Sequence, residues 1–223
     1  MMIWHWVRTN KVFLLFLLGL GLFRTAIADY NPIPSASMHP TLLEGDVVLV
    51  NRTAYDLKIP LTDVSLARMG EPRRGDVVTF SSPRDGTRLI KRIVGLPGDV
   101  IAMRDEVVYL NDAPVAYSGP EKGQESVQGK VTPTVRATEH LAGRDHGVQF
   151  LPAFPALRSF GPVVVPQDQY FMLGDNRDDS ADSRYIGFVP RKLLIGRAHH
   201  VLVSADIIGN WLPRVARLGL PID

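Results

Sequence analysis

Three times along this chain the dipeptide Gly-Asp opens a β-branched apolar run: Gly45-Asp46-Val47-Val48, Gly75-Asp76-Val77-Val78 and Gly98-Asp99-Val100-Ile101. Glycine and aspartate supply turn conformations, and valine-rich runs suit a pleated, half-buried surface. Punctuation of this kind makes strands joined by tight turns. Beyond the N-terminal region no long amphipathic helical period competes with it. Strands are predicted over 46–55, 76–81, 88–94, 100–103, 106–110, 113–117, 163–166, 169–173 and 198–204. Leu110-Asn111-Asp112-Ala113 reads as a hairpin tip and 190–195 as a short turn of helix. A fourth Gly-Asp, at 174–175, follows an apolar run instead of preceding one. The pattern predicts a mainly β, mostly antiparallel domain.

Between about 118 and 160 the composition shifts to Gly, Pro, Gln, Ser and charge, with weak periodicity. Strong motifs lie on both sides, so the expectation is a lobe inserted into the β core, spanning about 105–165 in all. The tail from Trp211 to Asp223 fits either a docked end or a loose amphipathic segment.

The N-terminus reads differently. Val12 to Phe23 is an unbroken apolar run flanked by Arg8, Lys11 and Arg24. Crossing a bilayer takes about 20 residues. Counting through Ala28, with Arg24 reaching toward the interface, approaches that length. Trp4 and Trp6 would supply an aromatic belt. This predicts a short cytoplasmic N-terminus (1–11), a transmembrane anchor (12–28) and an extracytoplasmic domain (29–223). The competing reading is a cleaved secretory signal, because Ala26-Ile27-Ala28 has the A-x-A form of a cleavage site. Both readings keep Arg8 and Lys11 inside and the remainder outside the cytoplasm.

Charge and composition narrow the chemistry. The chain has 25 Lys+Arg against 23 Asp+Glu, a net charge of +2, and no basic stripe, so no nucleic-acid partner is expected. It has no cysteine, which excludes disulfides, thiolate metal sites and a cysteine nucleophile. HExxH, G-x-S-x-G and phosphate-loop motifs are absent. His199 and His200, adjacent on a strand, would face opposite ways, a poor arrangement for one metal.

A serine and a lysine remain. Residues 33–42, IPSASMHPTL, read as an extended run that places Ile33, Ser35 and Ser37 on one face. In the predicted strand 88–94, Leu89, Lys91 and Ile93 share one face, and Ile90, Arg92 and Val94 the other. A lysine between aliphatics loses hydration, which lowers its pKa toward that of a general base. Taken singly, Lys91 also fits a surface cation and Ser37 a turn hydroxyl. His39 shares a face with Ser37, but no carboxylate is placed to orient it, so a rim position is expected. Gly174 to Arg184, GDNRDDSADSR, offers two serines and four aspartates on a predicted loop. Its acidic spacing does not fit a calcium-binding EF-hand.

These blocks together resemble the bacterial type I signal peptidases (leader peptidases). The matching stretches are IPSASMHPTL (33–42), GDVVLV (45–50), RRGDVV (73–78), KRIVGLPGD (91–99), GDNRDDSADSR (174–184) and GFVP (187–190), in the family's order. The resemblance implies an antiparallel β catalytic core with an inserted β-rich lobe. It implies Ser37 as nucleophile and Lys91 as general base, with an oxyanion hole made by the Ser37 N–H and the Ser35 hydroxyl. It implies that Ser180 orients the lysine amine, and that Asp175, Asp182, Arg92 and Arg184 brace the site by ion pairs. Ile33, Pro34, Met38, Leu42 and Ile90 match positions that line pockets for small substrate residues at −1 and −3. Two departures stand out: Ala36 sits where glycine is commonest, and Leu89 where an aromatic is frequent.

The expected function is a single-pass, monomeric serine endopeptidase of the bacterial inner membrane that removes A-x-A signal peptides from exported preproteins, without a cofactor. Its expected partners are signal peptides and the phospholipid bilayer. The alternatives are a specialised relative maturing pilin-like substrates, a self-cleaving regulator and an inactive membrane-tethered binding protein.

Overall fold

The computed structural model describes residues 2–59, 62, 64–127 and 129–222. Two helices come first, α1 (Met2–Thr9) and α2 (Lys11–Ala26), separated at Asn10, whose side-chain amide donates to the Trp6 carbonyl at 2.9 Å. The 16 residues of α2 span about 24 Å. None of the described helices is long and apolar enough to cross a membrane. The expected 12–28 segment also ends early. Ala28 opens the first strand and pairs with Asn51, because cross-strand pairing competes with helix for this residue. Val12, Phe13, Leu15 and Phe16 are all more than half exposed on α2. The side chains of Trp4 and Arg24 lie outside the described residues.

The rest is mostly β structure, and the strands among the described residues pair antiparallel. β1 (Ala28–Pro32) pairs with β2 (Asp46–Asn51), and β3 (Asp56–Lys58) with β4 (Ser65–Arg68). β5 (Val77–Ser81) pairs with β6 (Arg88–Gly95). β7 (Val100–Arg104), β8 (Val107–Leu110) and β9 (Ala113–Pro114) form a meander. β10 (Ala116–Val127), β11 (Lys130–Leu141) and β12 (Arg144–Phe150) form a second, longer one. β13 (Phe160–Val164) adds to β7, and β14 (Gln169–Leu173) joins β6 to β15 (Val189–Pro190). β16 (Leu194–Ser204) bridges β2 and β5. The main sheet therefore runs β1-β2-β16-β5-β6-β14-β15.

The three Gly-Asp motifs build one turn three times. Gly45, Gly75 and Gly98 sit at φ +87°, +87° and +89°, a region L-residues avoid. Each following aspartate accepts from the backbone N–H three residues back: Asp46 from Leu43 at 2.8 Å, Asp76 from Arg73 at 2.9 Å, Asp99 from Leu96 at 2.6 Å. Each also holds an arginine: Arg217, Arg144 and Arg74 respectively. Asn111 and Asp112, both at positive φ, make the expected hairpin tip.

The stretch whose composition shifts holds the longest strands. β10 and β11 have 12 residues each, and β10 is exposed along most of its length, so period-two burial never marks its sequence. The tail docks: Ile222 is buried in the core beside Val201, and Arg217 reaches Asp46 at 2.6 Å.

Candidate active site

Residues 33–42 are not a strand. Ala36–Met38 form one turn of 3-10 helix, entered from extended backbone at Ser35 and closed by the His39 N–H on the Ala36 carbonyl at 2.9 Å. The same-face argument for Ser35 and Ser37 therefore fails as geometry, yet the turn still leaves their hydroxyls 3.4 Å apart. Ala36 needs no left-handed conformation, so alanine is accommodated where glycine is commonest. The turn sends Met38 and Leu42 inward. Both are fully buried in a core cluster with Ile33, Val48 and Val201, so these three expected pocket residues form the floor under the site rather than its walls.

Lys91 enters from β6, opposite Val78 on β5, and is 2% exposed. Its Nζ lies 2.6 Å from Ser37 Oγ and donates to the Ile90 carbonyl at 2.9 Å. Burial lowers its pKa to about 8, against the raising influence of Asp182, Asp175 and Asp179. Next to it, Arg92 is equally buried and makes a bidentate pair with Asp175, at 2.9 and 2.8 Å. Arg92 also donates to the Gly75 carbonyl. The Asp175 carboxyl is held below the usual range: burial acts to raise it, and the Arg92 charge prevails.

The loop after β14 closes the site from above. Gly174 passes so near the serine turn that a Cβ there would stand 2.5 Å from the Ser37 carbonyl and overlap Ser180. Asn176 binds the turn twice: its N–H donates to the Ser37 carbonyl and its side-chain amide to the Ala36 carbonyl, each at 3.2 Å. Asp182 caps the helix α3 (Ser183–Ile186), accepts from Gly174 N–H at 3.1 Å and pairs with Arg184 at 2.9 Å. Ser180 departs from expectation. Its Oγ is buried with no hydrogen-bond partner, so it makes no hydrogen bond to the lysine amine in this structure. Its side chain packs against Gly174.

Beside Ser37 and Lys91 opens a groove of about 350 Å³, lined by Pro34, Ser35, Leu89 and Ile90, with Asn31 and Arg88 at its rim. Of the expected pocket residues, only Pro34 and Ile90 line it.

Several residues at the site went unnoticed in the sequence. Asn176 is one. Arg177, fully buried, pairs with Glu139 from β11 at 2.8 and 2.7 Å, and Gln149 from β12 exchanges backbone hydrogen bonds with Asp175 and Arg177. His39 is the largest correction. It is buried, not at a rim, and carboxylates meet both of its ring nitrogens, because folding returns Glu44 and Glu125 to it. Glu44 lies only five positions on, within local reach, whereas no local spacing announces Glu125, 86 positions away. Among the described residues no cluster of acidic or histidine side chains is arranged to hold a metal ion.

Residues 3–203 match the family described as signal peptidase, peptidase S26. A signal peptidase I of Pseudomonas fluorescens is 34% identical over 231 residues, covering 96% of this chain and 78% of that protein. One of Pseudomonas aeruginosa is 34% identical over 229 residues, with the same coverage. One of Buchnera aphidicola from Schizaphis graminum is 32% identical over 237 residues, covering 89% of this chain and 76% of the relative. The chain belongs to the signal peptidase family, peptidase S26, and is a serine endopeptidase.

Proposed function

We propose that this peptidase removes A-x-A signal peptides from exported preproteins through a Ser37/Lys91 dyad. The observation that carries this reading is the 2.6 Å approach of Ser37 Oγ to a lysine amine that is 2% exposed. At the ordinary value of 10.5, roughly 1 in 3000 lysines is neutral at pH 7; at about 8, about one in ten is. The neutral amine accepts the Ser37 proton as Oγ attacks the carbonyl carbon at −1. The ammonium then donates to the departing amine, and the same base activates the water that hydrolyses the ester. Asp182, Asp175 and Asp179 favour the ammonium form while it exists. The Ser35 hydroxyl, 3.4 Å from Ser37 Oγ, is placed to donate to an oxyanion on the attacked carbonyl. The groove wall of Pro34, Leu89 and Ile90 is apolar, which suits small residues at −1 and −3 and rejects charged ones by desolvation.

In this reading the apolar, solvent-facing α2, with Arg8 before it and Lys11 at its start, tethers the site to the outer face of the inner membrane, where signal peptides emerge. Carbonate washing of membranes should leave the protein in the pellet.

The test is cleavage of a preprotein bearing an A-x-A site by the detergent-purified protein. Cleavage after the second alanine is expected, lowered by about 10³-fold or more in Ser37→Ala and Lys91→Ala. kcat/KM should rise with an apparent pKa of about 8. Turnover by either variant at the wild-type rate would sink the dyad, as would a rise centred at 10.5.

A further inference from the structure

His39 follows Ser37 by two residues and occupies the exit of the same 3-10 turn. Its ring is held at both nitrogens: Nδ1 lies 2.5 Å from Glu125 Oε1 and Nε2 2.5 Å from Glu44 Oε2. A neutral imidazole donates from one nitrogen only, so two carboxylates are satisfied together only by the imidazolium. The two partners come from different parts of the fold. Glu44 belongs to the segment leading into β2, whereas Glu125 sits on β10, on the long hairpin. Glu125 is fixed in turn by Gln149 Nε2 at 2.6 Å, with Arg136 of β11 at 3.7 Å. Gln149 is the residue whose backbone holds Asp175 and Arg177. Asp179, half-buried on the 174–184 loop, is a further charged group that acts on this cluster, and it also feels Lys91.

We infer that His39 is a positioning residue for the peptidase reaction: as an imidazolium it clamps the Ser37 turn to the β10–β11 hairpin, and losing its proton releases the clamp and slows turnover. This rests on Ser37 being the nucleophile. The clamp and the base then set opposite limits on pH. The His39 pKa is raised to about 9: burial opposes this, and the hydrogen bonds and charges of Glu125 and Glu44 override it. Because the folded value lies above the ordinary 6.5, the stabilisation is complete below about 6.5 and is lost as pH rises through about 9. Lys91 must lose a proton near 8, so turnover is confined to a narrow alkaline window.

The experiment measures kcat and KM on an A-x-A preprotein from pH 6.5 to 10.5 for the full chain, His39→Gln and Glu44→Gln/Glu125→Gln. It is paired with NMR titration of 15N-histidine in the wild type and in Ser37→Ala. The wild type should show a bell, its falling limb near pH 9. Glu44→Gln/Glu125→Gln removes the charges that hold the proton, so its falling limb should vanish with KM within about twofold. His39→Gln should lose about tenfold in kcat at pH 8.5, with a profile that only rises. His39 should titrate near 9, including in the inactive Ser37→Ala protein. A falling limb unchanged in Glu44→Gln/Glu125→Gln, or a His39 titrating at 6.5 or below, overturns the clamp. Wild-type turnover by Ser37→Ala is a different failure. It overturns the nucleophile and with it the role of His39 in positioning, even if His39 still titrates near 9.

Discussion

Lys91 and Arg92 are neighbours on β6, both almost wholly buried, and the fold treats their charges in opposite ways. Arg92 faces the loop that supplies Asp175, and the two make a bidentate pair that satisfies both ions. Lys91 faces the serine turn and Val78, and its polar contacts are one hydroxyl and one carbonyl. One face of the strand is an ion-paired brace. The other is a dry pocket whose cation is kept weak. The contrast shows that burial alone does not lower a basic residue's charge; burial without a contacting carboxylate does. Asp175, Asp179 and Asp182 stand close enough to favour the ammonium, yet desolvation outweighs them.

The largest test of this contrast removes the brace. Arg92→Met should destabilise the protein by about 3–5 kcal/mol, because the buried Asp175 loses the bidentate partner that compensates its charge. Urea unfolding measures it, and a loss below 1 kcal/mol would mean that Asp175 rehydrates. Lys91→Met should move the other way. A lysine whose folded pKa falls from 10.5 to about 8 costs about 3 kcal/mol of stability at pH 7. Methionine of similar volume should restore much of that while abolishing activity. The sign follows from protons bound. Between pH 8 and 10.5 the unfolded chain holds more of them, so wild-type stability gains from this group as pH rises through that window, and the advantage of Lys91→Met shrinks to nothing. Unfolding curves at pH 7 and 10 check both. The smallest effect concerns the pocket wall. Leu89→Ser should admit water beside Lys91 and move the rising limb of kcat/KM upward by about 0.5 pH. An unmoved limb would mean that the deeper residues alone keep the lysine dry.

Legibility varied with the range of the interaction. The Gly-Asp turns were readable because everything that makes them is local: a glycine at positive φ and an aspartate bonding three residues back. The burial of Lys91 was only half readable: its aliphatic neighbours allowed it, but the pattern alone fitted a surface cation as well, and in the fold both faces of β6 are buried from Ile90 to Gly95. Residues 33–42 misled, since hydroxyl and apolar residues in alternation fit a strand as well as a 3-10 turn, and only packing under β2 and β16 draws Met38 and Leu42 inward. The β10–β11 hairpin was obscure because β10, wet on both faces, carries no hydrophobic period, and β11 buries Thr134 and Glu139 beside Leu141.

Sequence by itself determined the antiparallel β class, the turn chemistry, and the pairing of one serine with one lysine as the reactive groups to examine. The first two follow from residue type and spacing within about ten positions; the serine and the lysine stand 54 positions apart and are joined only by the resemblance of their flanking motifs to the signal peptidases. Tertiary structure alone decided that the serine rides a 3-10 turn, that Ser180 Oγ is buried without a hydrogen-bond partner, and that His39 lies between Glu44 and Glu125. These contacts join residues as many as 86 positions apart, and a charge on such a residue is stabilised or suppressed by neighbours that only folding brings within a few ångströms.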